Sequence, residues 1–174
     1  TTEGGNASKR GVGKGMVIQE LGWDEDPDAD LRIAIEDLID DEMLDEDAVD
    51  LVGMLFDVMF DERDFEEGSR KLISRLVVPF VKAAVMDRRL FLYKTHPARR
   101  LLNSLAEACE GNRGEGPQER ELLQKAENTV DRLIAEFNED IAIFETLEQE
   151  LRAFLDQHRR RVELAERRAA EAQR

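Results

Sequence analysis

From Pro117 to Arg174 the chain contains no glycine and no second proline, and its apolar residues return at steps of three and four: Leu123, Ala126, Val130, Leu133, Phe137, Phe144, Leu147, Leu151 and Phe154. Residues spaced this way line one stripe of an α-helix and cannot line one face of a strand. The spacing predicts one long C-terminal helix with a heptad-like seam, skipping a position at Asp140 and bending near residues 138–140. A second stripe (Ile134, Ile141, Leu155, Val162) makes the seam wider than that of a two-stranded coiled coil, so its first half is expected to pack on other helices. Beyond Arg159 the apolar pattern fades, and residues 159–174 are expected to form an exposed end.

The preceding sequence supplies those helices. LRIAIEDLI places Leu31, Ile35, Leu38 and Ile39 at helical spacing behind the acidic start Asp24–Asp30. Asp45 is an expected N-cap for a helix over about 46–61, where apolar residues leave only the stripe Asp50, Gly53, Asp57 and Asp61. A helix over about 66–86 turns Leu72, Ile73, Leu76, Phe80 and Ala84 inward, with Arg75, Lys82 and Pro79 outward and a kink at the proline. After the connection DRRLFLYKT, Pro97 opens a fourth helix that buries Leu101, Leu102, Leu105, Ala108 and Cys109 and ends at Gly111. No segment alternates over strand length without a better helical reading. The expected fold is all-α, an irregular bundle of about four helices plus the long C-terminal one.

Residues 1–15, rich in Gly, Ser and Lys, read as a flexible linker or tail, and 16–158 as the helical domain. Thr1 in place of Met, and helix-forming residues running to Arg174, are expected of a segment of a longer protein. GVGKG at 11–15 is not a phosphate loop, because that frame needs Gly where Ser8 stands and Ser or Thr where Gly15 stands. The acids at 24, 26 and 28 do not make a calcium loop either, since Ala29 and Ile35 replace its Gly and Glu.

The net charge of −15 is unevenly placed. Residues 16–67 hold 21 acids against Arg32 and Arg63, a net of −19, while residues 68–100 hold nine bases against Asp87, a net of +8. Two such neighbours are expected to face and partly neutralise each other. The acidic segment also argues against nucleic acid as a partner, despite the bases between Arg70 and Arg100. No apolar run reaches the roughly 20 residues of a membrane span. A single cysteine excludes an internal disulfide and points to a reducing cytoplasm.

With two histidines and one cysteine, the usual metal and nucleophile constellations lack raw material. No catalytic residue, metal site or cofactor is expected. The candidate recognition turn is Tyr93, His96, Arg99 and Arg100, where donors cluster at a helix N-terminus. The competing structural reading has Pro97 start the helix while Arg99 or Arg100 reaches an acid of 16–67.

VVPFVKAAVMDRRLF (77–91), YKTHPARRLLNSLAEACEG (93–111) and DIAIFETLEQELRAFLDQHRRRVELAERR (140–168) resemble a bacterial family catalogued as a domain of unknown function. Its members show a proline-bearing apolar helix, a short aromatic connection and an HPARRLLN-like helix start. The resemblance covers roughly residues 70–174. It implies long, mostly helical proteins, some associated with PilZ-type cyclic dinucleotide receptor modules and some labelled thymidine phosphorylase. Neither activity is readable here, because the strand pattern of a β-barrel and the α/β phosphate-binding domain of a phosphorylase are both missing. The expected function is a non-enzymatic interaction or regulatory module of a larger bacterial cytosolic protein. It would bind another protein or another part of its own chain, with a weak homodimer through the C-terminal helix. The alternative is a ligand-responsive signalling domain in a cyclic dinucleotide pathway, with Arg88, Arg89, Arg99 and Arg100 on phosphate.

Overall fold

The computed structural model describes residues 45–173, all helix and short connections. The linker at 1–15, the helix expected over 31–39 and the side chain of Asp45 lie outside the described residues. Seven helices follow in order: α1 (Asp45–Glu62), α2 (Glu67–Ser74), α3 (Val77–Met86), α4 (Arg89–Leu92), α5 (Pro97–Cys109), α6 (Pro117–Glu136) and α7 (Ala142–Ala172). Among the described residues there is no strand, as the periodicity requires.

α1 buries Ala48, Leu51, Val52, Leu55, Phe56 and Met59, the i, i+3, i+4 face of a helix, against α3. Its outer stripe is broader than expected, since Val49 joins the acids in solvent. The helix expected over 66–86 is two helices. Arg75 and Leu76 donate their N–H groups three residues back, to Leu72 and Ile73, which tightens and ends α2. Pro79 explains the position of this break: it has no N–H for the Arg75 carbonyl, and its ring crowds the turn before it. The proline is itself buried, not outward as expected.

The C-terminal pattern is also divided. α6 ends at Phe137, the chain passes through Glu139 at a positive φ of 62°, and Asp140 Oδ1 accepts the Ala142 N–H at 2.9 Å as α7 begins. The position skipped at Asp140 is therefore a reversal and not a bend. Arg132 pairs with Glu150 near the reversal and Glu121 with Arg161 farther out, so α6 and α7 run antiparallel. α7 also packs along α5. Phe144, Leu147, Leu151 and Leu155 are its buried seam; Leu155, rather than Phe154, completes it. From residue 159 onward the helix continues with no buried residue.

Phenylalanine rings tie these layers together edge to face. Phe56 meets Phe80 at 5.4 Å, Phe80 meets Phe144 at 5.5 Å, and Phe144 meets Phe137 at 5.1 Å. Each such pair contributes about 0.5–1.5 kcal/mol beyond its buried area. The file of rings joins α1, α3, α7 and the α6–α7 reversal into one core.

Candidate functional site

The candidate turn is built around Asp87, which sequence reasoning had not chosen. Asp87 ends α3, and its carboxylate accepts three bonds from Arg89: the backbone N–H at 3.1 Å, Nε at 2.9 Å and Nη2 at 2.9 Å. His96 lies on the other side, with Nε2 3.1 Å from Asp87 Oδ2. The second ring nitrogen, Nδ1, accepts the Ala98 N–H at 3.1 Å and so caps α5. These two bonds assign the tautomer: neutral imidazole, with its proton on Nε2 and donated to Asp87.

The electrostatics agree. The Arg89 guanidinium is the main cause holding the Asp87 carboxyl down at about 2, with His96 adding to it. The His96 imidazole is held below its usual range, chiefly by burial and with Arg89 and Arg99 adding to it, against the opposing pull of Asp87. A charged His96 would also lose its cap, because a protonated Nδ1 cannot accept.

Arg99 is only 4% exposed, and its Nη1 donates to the carbonyls of Leu90 at 3.3 Å and Phe91 at 3.5 Å. It thereby serves the carbonyls of α4, which is too short to satisfy them itself. The Tyr93 ring is exposed, while its carbonyl accepts the His96 N–H at 3.1 Å. Arg100 is half-buried, and its Nε has no hydrogen-bond partner among the described residues. The structure thus joins the side chains of His96 and Arg99 to the framework of the turn, whereas Tyr93 and Arg100 bond to His96 through their backbones.

A second polar cluster lies between α5 and α7. Ser104 Oγ donates to Glu148 Oε1 at 3.3 Å and accepts from Arg152 Nη2 at 2.9 Å. Arg152 and Arg159 both reach Glu107, at 3.0 and 2.6 Å. Ser104 and Glu148 are buried. The signal in the sequence was an acid placed between Leu147 and Leu151 on the seam. Cys109, enclosed in the same core, has its thiol pushed up to about 11 by burial. Among the described residues no group of His, Cys, Asp and Glu is arranged to hold a metal ion, and no helix is long and apolar enough to cross a membrane.

The largest departure from expectation is apolar. α3, VVPFVKAAVM, carries a single charge, as a helix covered on all sides would. Its inner face holds Phe80, Ala83 and Ala84, fully buried, yet Val78, Val85 and Met86 are 60%, 44% and 44% exposed. Val78 and Val85 lie two turns apart on one face. Across a shallow groove stands Ile134 of α6, 42% exposed, with Pro79, Leu133 and Phe137 as the floor and Arg75 and Lys82 along the rim. Arg75 pairs with Asp131 at 2.9 Å, whereas Lys82 has no ion-pair partner among the described residues.

The family model described as "Protein of unknown function (DUF1631) 2nd domain" matches residues 21–140. The chain belongs to this family. The DUF1631 match takes in the turn at 87–100 and both walls of the groove, and it begins well before the stretch on which the resemblance rested. It stops short of α7. Uncharacterized proteins of Mycobacterium tuberculosis (strains ATCC 25618 / H37Rv and CDC 1551) and of Mycobacterium bovis are each 45% identical to the chain over 49 residues. That stretch is 28% of this chain and 31% of each relative, so the match spans about a third of their length. No solved structure matches.

Proposed function

We propose that this second domain of DUF1631 is a non-enzymatic interaction module that binds a helical protein segment along the α3–α6 groove. The observation that carries the reading is the bare outer face of α3. Single exposed apolar residues are ordinary, but Val78 and Ile134 line one groove, and Val85 and Met86 are exposed farther along α3. A groove of this kind, apolar at the base and basic at the rim, accepts an amphipathic helix through anchors at i, i+3 or i+4 and i+7. The groups a catalyst would use are committed elsewhere: His96 is bonded at both nitrogens, and the Cys109 thiol is buried and protonated. The alternative, a cyclic dinucleotide at Arg88, Arg89, Arg99 and Arg100, draws less support, because Arg89 is engaged with Asp87 and Arg99 is turned inward.

The test is capture from a bacterial lysate by the native chain and by the double variant Val78→Asp/Ile134→Asp. Proteins retained by the native chain should be lost from the variant at unchanged helix content. Retention of the same proteins by both would sink the reading.

A further inference from the structure

The groove between α3 and α6 constrains what can enter it. Val78 and Ile134 stand on its two sides over Pro79, Leu133 and Phe137, and it encloses about 130 Å³. A cavity of roughly 150 Å³ takes a benzene ring, so this one takes a single bulky apolar side chain. Seven residues farther along α3, at a rise of about 10 Å, Val85 is exposed outside the groove. A helix lying along α3 with one anchor in the groove can therefore set a second, two turns on, against Val85.

Charge selects which helix. From Arg70 to Thr95, in a chain with 40 acids, no exposed residue is acidic. The one acid of that stretch, Asp87, is half-buried and held by Arg89 and His96. On the rim, Arg75 pairs with Asp131 of α6 at 2.9 Å. Lys82 is exposed one turn from Val78 and has no ion-pair partner among the described residues. A carboxylate complements that ammonium, whereas a lysine or arginine of a partner would be repelled. A flat anionic bilayer fits less well, because Pro79 and Leu133 are buried between two helices and the chain carries a net charge of −15.

We propose that the partner is an acidic amphipathic helix that seats one bulky apolar side chain between Val78 and Ile134, lays a second on Val85 and turns a carboxylate toward Lys82. The proposal rests on the groove being a docking surface and adds the chemistry of its occupant. Apolar contact supplies the hold, and Lys82 the choice between partners.

The test uses the full chain and two fluorescent synthetic peptides with the same leucines at i, i+4 and i+7, one carrying glutamates beside them and its twin lysines. In an anisotropy titration at low salt the glutamate peptide should bind at least about ten-fold more tightly than its twin. Lys82→Glu should bring the two within about three-fold of each other, while Lys71→Glu, an equal change of charge outside the groove, should leave the preference in place. Val78→Asp/Ile134→Asp should bind neither peptide at unchanged helix content. Equal or tighter binding of the lysine twin would overturn the proposal. So would an equal response to Lys71→Glu and Lys82→Glu, which marks a diffuse field and not a contact. Sedimentation of the native chain with phosphatidylserine vesicles, with neither peptide bound, would give the face to a membrane instead. Failure of both peptides to bind, with lysate capture still lost in Val78→Asp/Ile134→Asp, would overturn the acidic occupant and keep the docking surface. Lysate capture indifferent to that double variant would remove the docking surface itself.

Discussion

Within one stretch of chain, residues 78–86 leave Val78, Val85 and Met86 in solvent, while residues 87–99 draw His96 and Arg99 under cover. The difference teaches that burial here follows satisfaction rather than residue class. Imidazole and guanidinium go inside because their N–H groups and the ring nitrogen find partners in Asp87, the Ala98 N–H and the carbonyls of α4. Valines stay outside because the inner face of α3 is already filled by Phe80, Ala83 and Ala84. The polar turn satisfies its own donors and acceptors, and the apolar strip stays in solvent.

The largest effect should come from within α3 itself. Phe80→Ala removes the ring between Phe56 and Phe144 and should cost about 3–5 kcal/mol in urea unfolding. Val78→Ala, two residues away on the outer face, should change stability by under about 0.5 kcal/mol. Comparable losses at the two positions would break the division into a filled and a bare face.

Arg99→Ala tests the other side of the comparison. It leaves the Leu90 and Phe91 carbonyls short of a donor and should cost about 1–3 kcal/mol. If this variant kept full stability yet lost capture of a partner, the turn would be a recognition site after all.

His96 adds a pH dependence. Its imidazole is held below the usual range by burial, so on acidification the unfolded chain takes up this proton before the folded one. Stability should therefore decline as pH falls from about 6.5 through the folded-state value. Asp87, held at about 2 against a usual 3.8, contributes stability above 3.8 that is lost as pH falls toward 2. His96→Gln should lose about 0.5–2 kcal/mol at pH 7, where the native ring caps α5. It should also flatten the urea midpoint between pH 7 and 5, and an unflattened profile would assign that slope to other groups.

The smallest effect sharpens the contrast at the α6–α7 reversal. Glu139 holds a positive φ that glycine adopts without strain, while glycine adds freedom to the unfolded chain. Glu139→Gly should therefore stay within about 0.5 kcal/mol of the native chain in thermal unfolding. Gly111→Ala, at a φ of 65° where α5 ends, should lose about 1 kcal/mol.

Most of the helices were legible because their apolar residues repeat without ambiguity: Pro97 and Gly111 bracket α5 as a sequence alone suggests. The divisions were harder. A position skipped at Asp140 reads the same for a bend and for a reversal, and Glu139 gave no sign of left-handed backbone. Pro79 marked a disturbance, but the break falls one turn earlier, where its missing N–H is felt. In the candidate site, His96 and Arg99 stood out by residue type. Asp87 did not, because its role comes from three-dimensional neighbours, and Glu148 was hidden among 40 acids that mostly face water. Val78 and Val85 were invisible as a surface. They extend a helical pattern that implies core, and only the packing of α3 reveals which side stays bare.

Cys109 gives the molecule an internal clock. It is the single thiol of the chain, fully enclosed on α5, and its elevated pKa keeps it protonated at neutral pH. Since the thiolate is the species that reacts, alkylation of the native protein has to wait for α5 to open. The labelling rate in native buffer then measures how often that helix is released from the core. The chain thus reports the opening of its central layer without an added probe.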